Sequence, residues 1–83
     1  MSEEEYDMMD ELYFVQPFSY LKEVLNWDDK ELLTTLHGLY RKGLVKCLSE
    51  PDEEIFQDAE ILKNGRSYYY LATKKGLMEH NTL

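Results

Sequence analysis

Eighty-three residues support one core, because a chain of this length buries only about 60 to 65% of its unfolded surface, too little for two domains or a large enclosed active site. Hydrophobic residues at 43% and aromatics at 13% are enough to fold it despite 31% charged residues, which excludes the disordered class. The net charge of -8 runs against the basic excess with which nucleic-acid binders displace counterions.

The chain opens on acids, Glu3, Glu4, Glu5 and Asp7, where a secretory signal would be basic. No apolar run approaches the roughly 20 residues of a membrane span, so the chain reads as cytoplasmic, with no membrane contact. From Ser2 to Val15 the spacing predicts a first helix. Tyr6, Met9 and Tyr13 lie at i, i+3, i+7, and Met8, Leu12 and Val15 form a second stripe beside them. The acids suit the positive end of the helix dipole, and residues 1–5 are expected to fray. Two stripes exceed what a small three-helix core needs, so homodimer pairing through this helix is expected.

Pro17 is expected to end that helix, with Pro17 or Ser19 opening a second one whose inner stripe is Phe18, Leu21, Val24 and Leu25. Asn26 sits where a helix stops in left-handed geometry, Trp27 follows as an apolar plug, and Asp28 to Glu31 has the spacing of a capping box. A third helix then runs from about Asp29 to Lys42. Leu32, Leu33, Leu36, Leu39 and Tyr40 point inward, Glu31, Thr34, Thr35, His37, Gly38 and Arg41 point outward, and Gly43 is the stop.

After Gly43 the period shifts towards two, giving a strand around Leu44 to Leu48 and another at Ser67 to Ala72. Cys47, the single cysteine, rules out an internal disulfide and suits a partly buried strand in a reducing compartment. Between the strands lies an acidic stretch, Ser49 to Leu62, which Pro51 could open as a helix, or which could be an elongated loop or extra strand. Lys63-Asn64-Gly65-Arg66 carries the Asn-Gly pair of a type I′ turn, which would pair Ile61 with Tyr68 and Ala59 with Tyr70. Residues 49–66 thus read as a long acidic wing. Thr73 can cap a short last helix through Leu77 and Met78.

The charges are unevenly spread. Residues 1–18 hold six acids and no base, residues 49–60 six acids, while residues 19–48 hold five bases against four acids and residues 61–83 four bases against one. His37, His80 and Cys47 lack the close spacing of a metal site, Ser19, Ser49 and Ser67 sit in no nucleophile motif, and the four glycines form no phosphate cradle. No enzyme, cofactor or metal is expected.

The phrases Leu39-Tyr40-Arg41-Lys42-Gly43-Leu44-Val45 and Tyr68-Tyr69-Tyr70-Leu71-Ala72-Thr73-Lys74-Lys75-Gly76, ordered after the Asn26-Trp27-Asp28 turn, carry a family resemblance. Over residues 6–80 the chain resembles a winged helix-turn-helix domain, similar to small bacterial transcriptional regulators of the MarR and PadR type. Leu71 to Gly76 departs from the family phrase by one inserted residue. The resemblance implies an α+β fold over residues 1–83, with three helices, a β-hairpin wing and a short final helix. It also implies a DNA-binding regulator whose third helix enters the major groove, with Lys30, Thr34, Thr35, His37 and Arg41 facing double-stranded DNA, and Lys63, Asn64 and Arg66 touching it from the wing. The residues themselves also admit an acidic protein-interaction module without DNA binding. Asp28, Asp29 and Glu31 at the leading end of the third helix would meet phosphate with like charge, and one of the tyrosines at 68–70 must face outward.

Overall fold

The computed structural model describes residues 1–57 and 59–81; Asp58, within the acidic stretch, and the last two positions lie outside the described residues. Five helices, one 3-10 turn and a four-stranded antiparallel sheet are formed among them, which is an α+β arrangement.

Helix α1 spans Glu3–Asp10 and is capped at its start by Ser2. Ser2 and Glu5 form a reciprocal capping box, in which the Glu5 N–H donates to Ser2 Oγ (3.2 Å) and the Ser2 N–H donates to Glu5 Oε1 (2.9 Å), so two otherwise orphaned donors are satisfied. The helix does not reach Val15. The chain leaves it at Glu11 and turns so that the carbonyl of Leu12 accepts from Ala72 N–H at 2.9 Å. The two-residue strand β1, Gln16–Pro17, follows. Pro17 therefore does not terminate α1; its missing N–H makes it suited to an edge strand, and it is the N-cap of α2, Phe18–Leu25.

Phe18 and Leu21 are buried in α2 and Leu25 is half-buried, whereas Val24, expected inside, is 44% exposed. Asn26 closes the helix with φ 57°, the left-handed geometry that asparagine tolerates better than most residues. Trp27 packs against the core. Asp28 then caps α3, Asp29–Arg41, by accepting from the Glu31 N–H at 2.8 Å. Leu32, Leu33, Leu36 and Leu39 are buried, and Gly43, at φ 77°, provides the turn out of the helix.

Strands β2 (Val45–Glu50), β3 (Glu53–Ile55) and β4 (Tyr69–Ala72) join β1 in the order β1-β4-β2-β3. The acidic stretch is thus neither a helix opened by Pro51 nor a bare loop, because Pro51 and Asp52 turn the chain into an extra strand. The Asn-Gly pair makes no hairpin turn. Ile61–Asn64 is a short helix, α4, Gly65–Ser67 is a 3-10 turn, and neither Ile61 nor Ala59 pairs with β4. Instead Ile61 is fully buried, and the Tyr70 hydroxyl donates to the Gly65 carbonyl at 2.7 Å. A Cβ on Gly65 would lie 2.6 Å from Leu33 Cδ2 and 2.8 Å from that hydroxyl. This glycine is required by close packing, with an ordinary φ of -62°.

Thr73 caps α5, Lys74–His80, accepting from the Gly76 N–H at 3.0 Å and donating to the Gly43 carbonyl at 2.7 Å. The core lies between the helices and one face of the sheet. Met8, Met9, Leu12, Leu36, Leu39, Cys47, Ile61 and Tyr70 are fully buried in it.

Candidate interaction surface around the third helix

Helical spacing divides the outer side of α3 into two stripes. Lys30, Thr34, His37 and Arg41 form the first, at i, i+4, i+7, i+11; Lys30, Thr34 and Arg41 are exposed and His37 is half-buried. Glu31, Thr35, Gly38 and Lys42 form the second, which faces the start of α1. There Lys42 Nζ donates to both carboxylate oxygens of Glu5, at 3.0 and 2.8 Å. Gly38 lies beside this carboxylate, where a Cβ would make ordinary contact with Glu5 Oε2 at 3.7 Å. Glu5 is only 8% exposed.

A shallow groove of about 720 Å³ runs between the two helices. Ser2, Glu4 and Glu5 line it from α1, and Asp28, Lys30, Glu31, Thr34, Thr35 and Lys42 from α3. Four carboxylates therefore share it with two ammonium groups, one already held by Glu5. Of the five residues expected to face DNA from α3, Lys30, Thr34, His37 and Arg41 share one stripe, and Thr35 lies in the other, lining the groove beside α1.

The three residues expected at a wing tip lie elsewhere. Lys63 and Asn64 belong to α4, and Arg66 to the 3-10 turn, because the chain between β3 and β4 folds back to bury Ile61 and Gly65 beside α3 and α2. Arg66 Nε donates to Asp29 Oδ2 at 2.6 Å, and Lys22 of α2 holds the other oxygen of the same carboxylate. These bonds, Arg66 first and then Lys22, hold the Asp29 carboxyl below its ordinary 3.8. One acid at the start of α3 thus engages two cations.

Glu5, Lys42, Lys22 and Asp29 organise this surface; of these the sequence pattern had singled out only Asp29, as an acid at the leading end of α3. Ser2-x-x-Glu5 is a readable capping-box signature; the long-range partnership of Glu5 with Lys42 has no local signal.

The remaining chemistry-bearing groups lie outside this groove. Cys47 is fully buried, and burial, aided by the charge of Glu54, pushes its thiol up to about 12. Burial likewise raises the Tyr70 hydroxyl well above the ordinary 10. The rings of Tyr68 and Tyr70 meet edge-on at 6.4 Å, and Tyr68 and Tyr69 are half-buried. His80 ties α5 to the first helix, with Nε2 2.9 Å from Asp10 Oδ1 and Nδ1 2.7 Å from the Tyr13 hydroxyl. Among the described residues no helix is long and apolar enough to cross a membrane. Comparison with protein-family models, curated proteins and solved structures gives no match for this chain.

Proposed function

We propose that the chain is a non-enzymatic winged-helix-type domain that docks another protein through the face formed by α3 and α1. The fold reading is supported by the order α1, β1, α2, α3, β2, β4, with β4 hydrogen-bonded between β1 and β2, and by the left-handed Asn26 junction that sets α3 against α2. Regulation of a partner in the cytoplasm is the setting this reading implies, and the buried, unreactive Cys47 is compatible with it.

The observation that carries the docking reading is the ion pairing. Arg66 and Lys22 are engaged by Asp29, and Lys42 by Glu5, so groups that would neutralise phosphate already neutralise carboxylates on the same side of the molecule. Each phosphate contact that is lost also removes about one unit from the salt slope of DNA binding. The expected outcome is that the 83-residue chain fails to shift duplex DNA even at about 50 mM salt, well below the physiological range, while Thr35→Glu abolishes its co-purification with its partner. Retention on duplex that falls with Lys30→Ala would overturn the reading.

DNA binding by α3 remains the second reading, favoured by one feature: Lys30, Thr34, His37 and Arg41 form a continuous stripe, and among the described residues no ion pair engages Lys30 or Arg41. The same duplex experiment decides between the two.

A further inference from the structure

We infer that the outer edge of β3 is a docking strand for an extended, lysine- or arginine-bearing segment of another protein. This rests on the docking reading above and names a second surface for it. Among the described residues, strand β3 ends the sheet order and pairs only with β2. Its register is fixed by Cys47 opposite Ile55 and Leu48 opposite Glu54, with Cys47 fully buried and Ile55 packed on the core. The edge is therefore held in place by the interior of the protein.

Among the described residues, the bonds that reach Glu53–Ile55 come from β2, the Ser49 hydroxyl included, and none comes from any other element. A strand pleat aims half of its backbone N–H and C=O groups at each side, so the far side of β3 offers unpaired groups that an added strand can take up. Phe56, directly after the strand, is 80% exposed, and a large aromatic beside a backbone-binding edge is the usual kind of anchor at an interface.

Charge selects the occupant. Glu50, Asp52 and Glu53 are exposed around this edge and Glu54 is half-buried, with one cation, Lys46, 3.3 Å from Glu54. A second copy pairing antiparallel about Glu54 would set Glu54 against Glu54, and like charges directly opposite destabilise a ladder. An incoming strand with lysine or arginine at alternate positions reverses the sign of that interaction while meeting the same backbone groups.

The test uses the nitrogen-15-labelled 83-residue chain and an acetylated six-residue peptide of alternating lysine and valine. Saturable amide shifts confined to Glu53–Phe56, with slowed hydrogen exchange there, are expected. A peptide of the same sequence with alternate backbone nitrogens methylated keeps the charge and loses the donors, and is expected to bind about tenfold or more weakly. Glu53→Lys, at an exposed position, is expected to weaken the unmodified peptide similarly. Absence of saturable shifts at β3, shifts centred on the α1–α3 groove, or equal binding of the methylated peptide would each overturn the inference. The duplex experiment is read separately, so DNA retention would sink the α3 docking reading whatever the peptide does at β3.

Discussion

Burial raises the pKa of the Glu5 carboxyl, but the hydrogen bond from Lys42, the bond with the Ser2 backbone and the nearby positive charge outweigh it, and the group titrates below its ordinary 4.5. Because the folded value is depressed, the associated stability is fully present above the ordinary value and is lost as the pH falls through the folded one. Lys42 is 55% exposed, so solvent screening keeps the contribution to about 1 kcal/mol. Glu5→Gln should therefore unfold more readily than the parent at neutral pH by about that amount. The gap should close in acid, where the parent carboxyl is itself neutral. Urea titrations at a series of pH values falling from 7 read this directly; a gap that stays constant down the whole series would mean that shape and capping, without charge, set the role of Glu5. At this scale the sequence was only partly legible. Gly65 reads as a turn residue because Asn-Gly pairs favour positive φ, yet it is selected by the absence of room beside Leu33 and Tyr70. Gly76 is similar, since a Cβ there would overlap the Leu44 carbonyl. Crowding from distant elements leaves no trace in the neighbouring residues.

Among the elements, the α2–α3 junction was the most legible, because capping chemistry is local. Asn26 with φ 57° stops one helix and Asp28 starts the next within two residues. Asn26→Gly should leave stability within a few tenths of a kcal/mol of the parent, as glycine tolerates left-handed geometry, whereas Asn26→Ala should cost about 1 kcal/mol in thermal unfolding. Equal effects of the two substitutions would show that the asparagine side chain, and not the backbone angle, secures the junction. The segment from Glu50 to Tyr68 was illegible for the opposite reason. Its short elements are decided by where Ile61, Ile55 and Tyr70 find burial, and a three-residue strand and a four-residue helix are too short to show a period. The first helix was overextended by the same rule. Leu12 and Val15 continue its spacing, but the Leu12 carbonyl is taken by Ala72. Lys63, Asn64 and Arg66 lie on α4 and the 3-10 turn instead of a hairpin tip, while Lys30, Thr34, His37 and Arg41 keep the outer side of α3 that periodicity assigns them.

For the whole molecule, the two stripes that suggested pairing are partly taken up by the core: Met8, Met9 and Leu12 are fully buried within a single chain, Tyr6 and Val15 are half-buried, and Tyr13 is 40% exposed. The apolar face that α1 and its continuation leave for pairing is correspondingly narrower. The large apolar side chains left most exposed, Phe14 at 78%, Phe56 at 80% and Met78 at 61%, lie respectively before β1, after β3 and on α5, spread along the chain. Two copies would also bring together net charges of -8 each. That repulsion acts over a Debye length of about 8 Å at physiological salt and about 3 Å at 1 M. Sedimentation is therefore expected to give the 9.9 kDa monomer at micromolar concentration and low salt. Adding salt screens the repulsion and strengthens apolar burial, so any self-association should grow towards 1 M. A dimer already complete at low salt, and dissociating as salt is added, would require opposite charges to meet across its interface. The acidic edge of β3 lying against the Lys30 to Arg41 stripe of a second copy would then be the pairing to test.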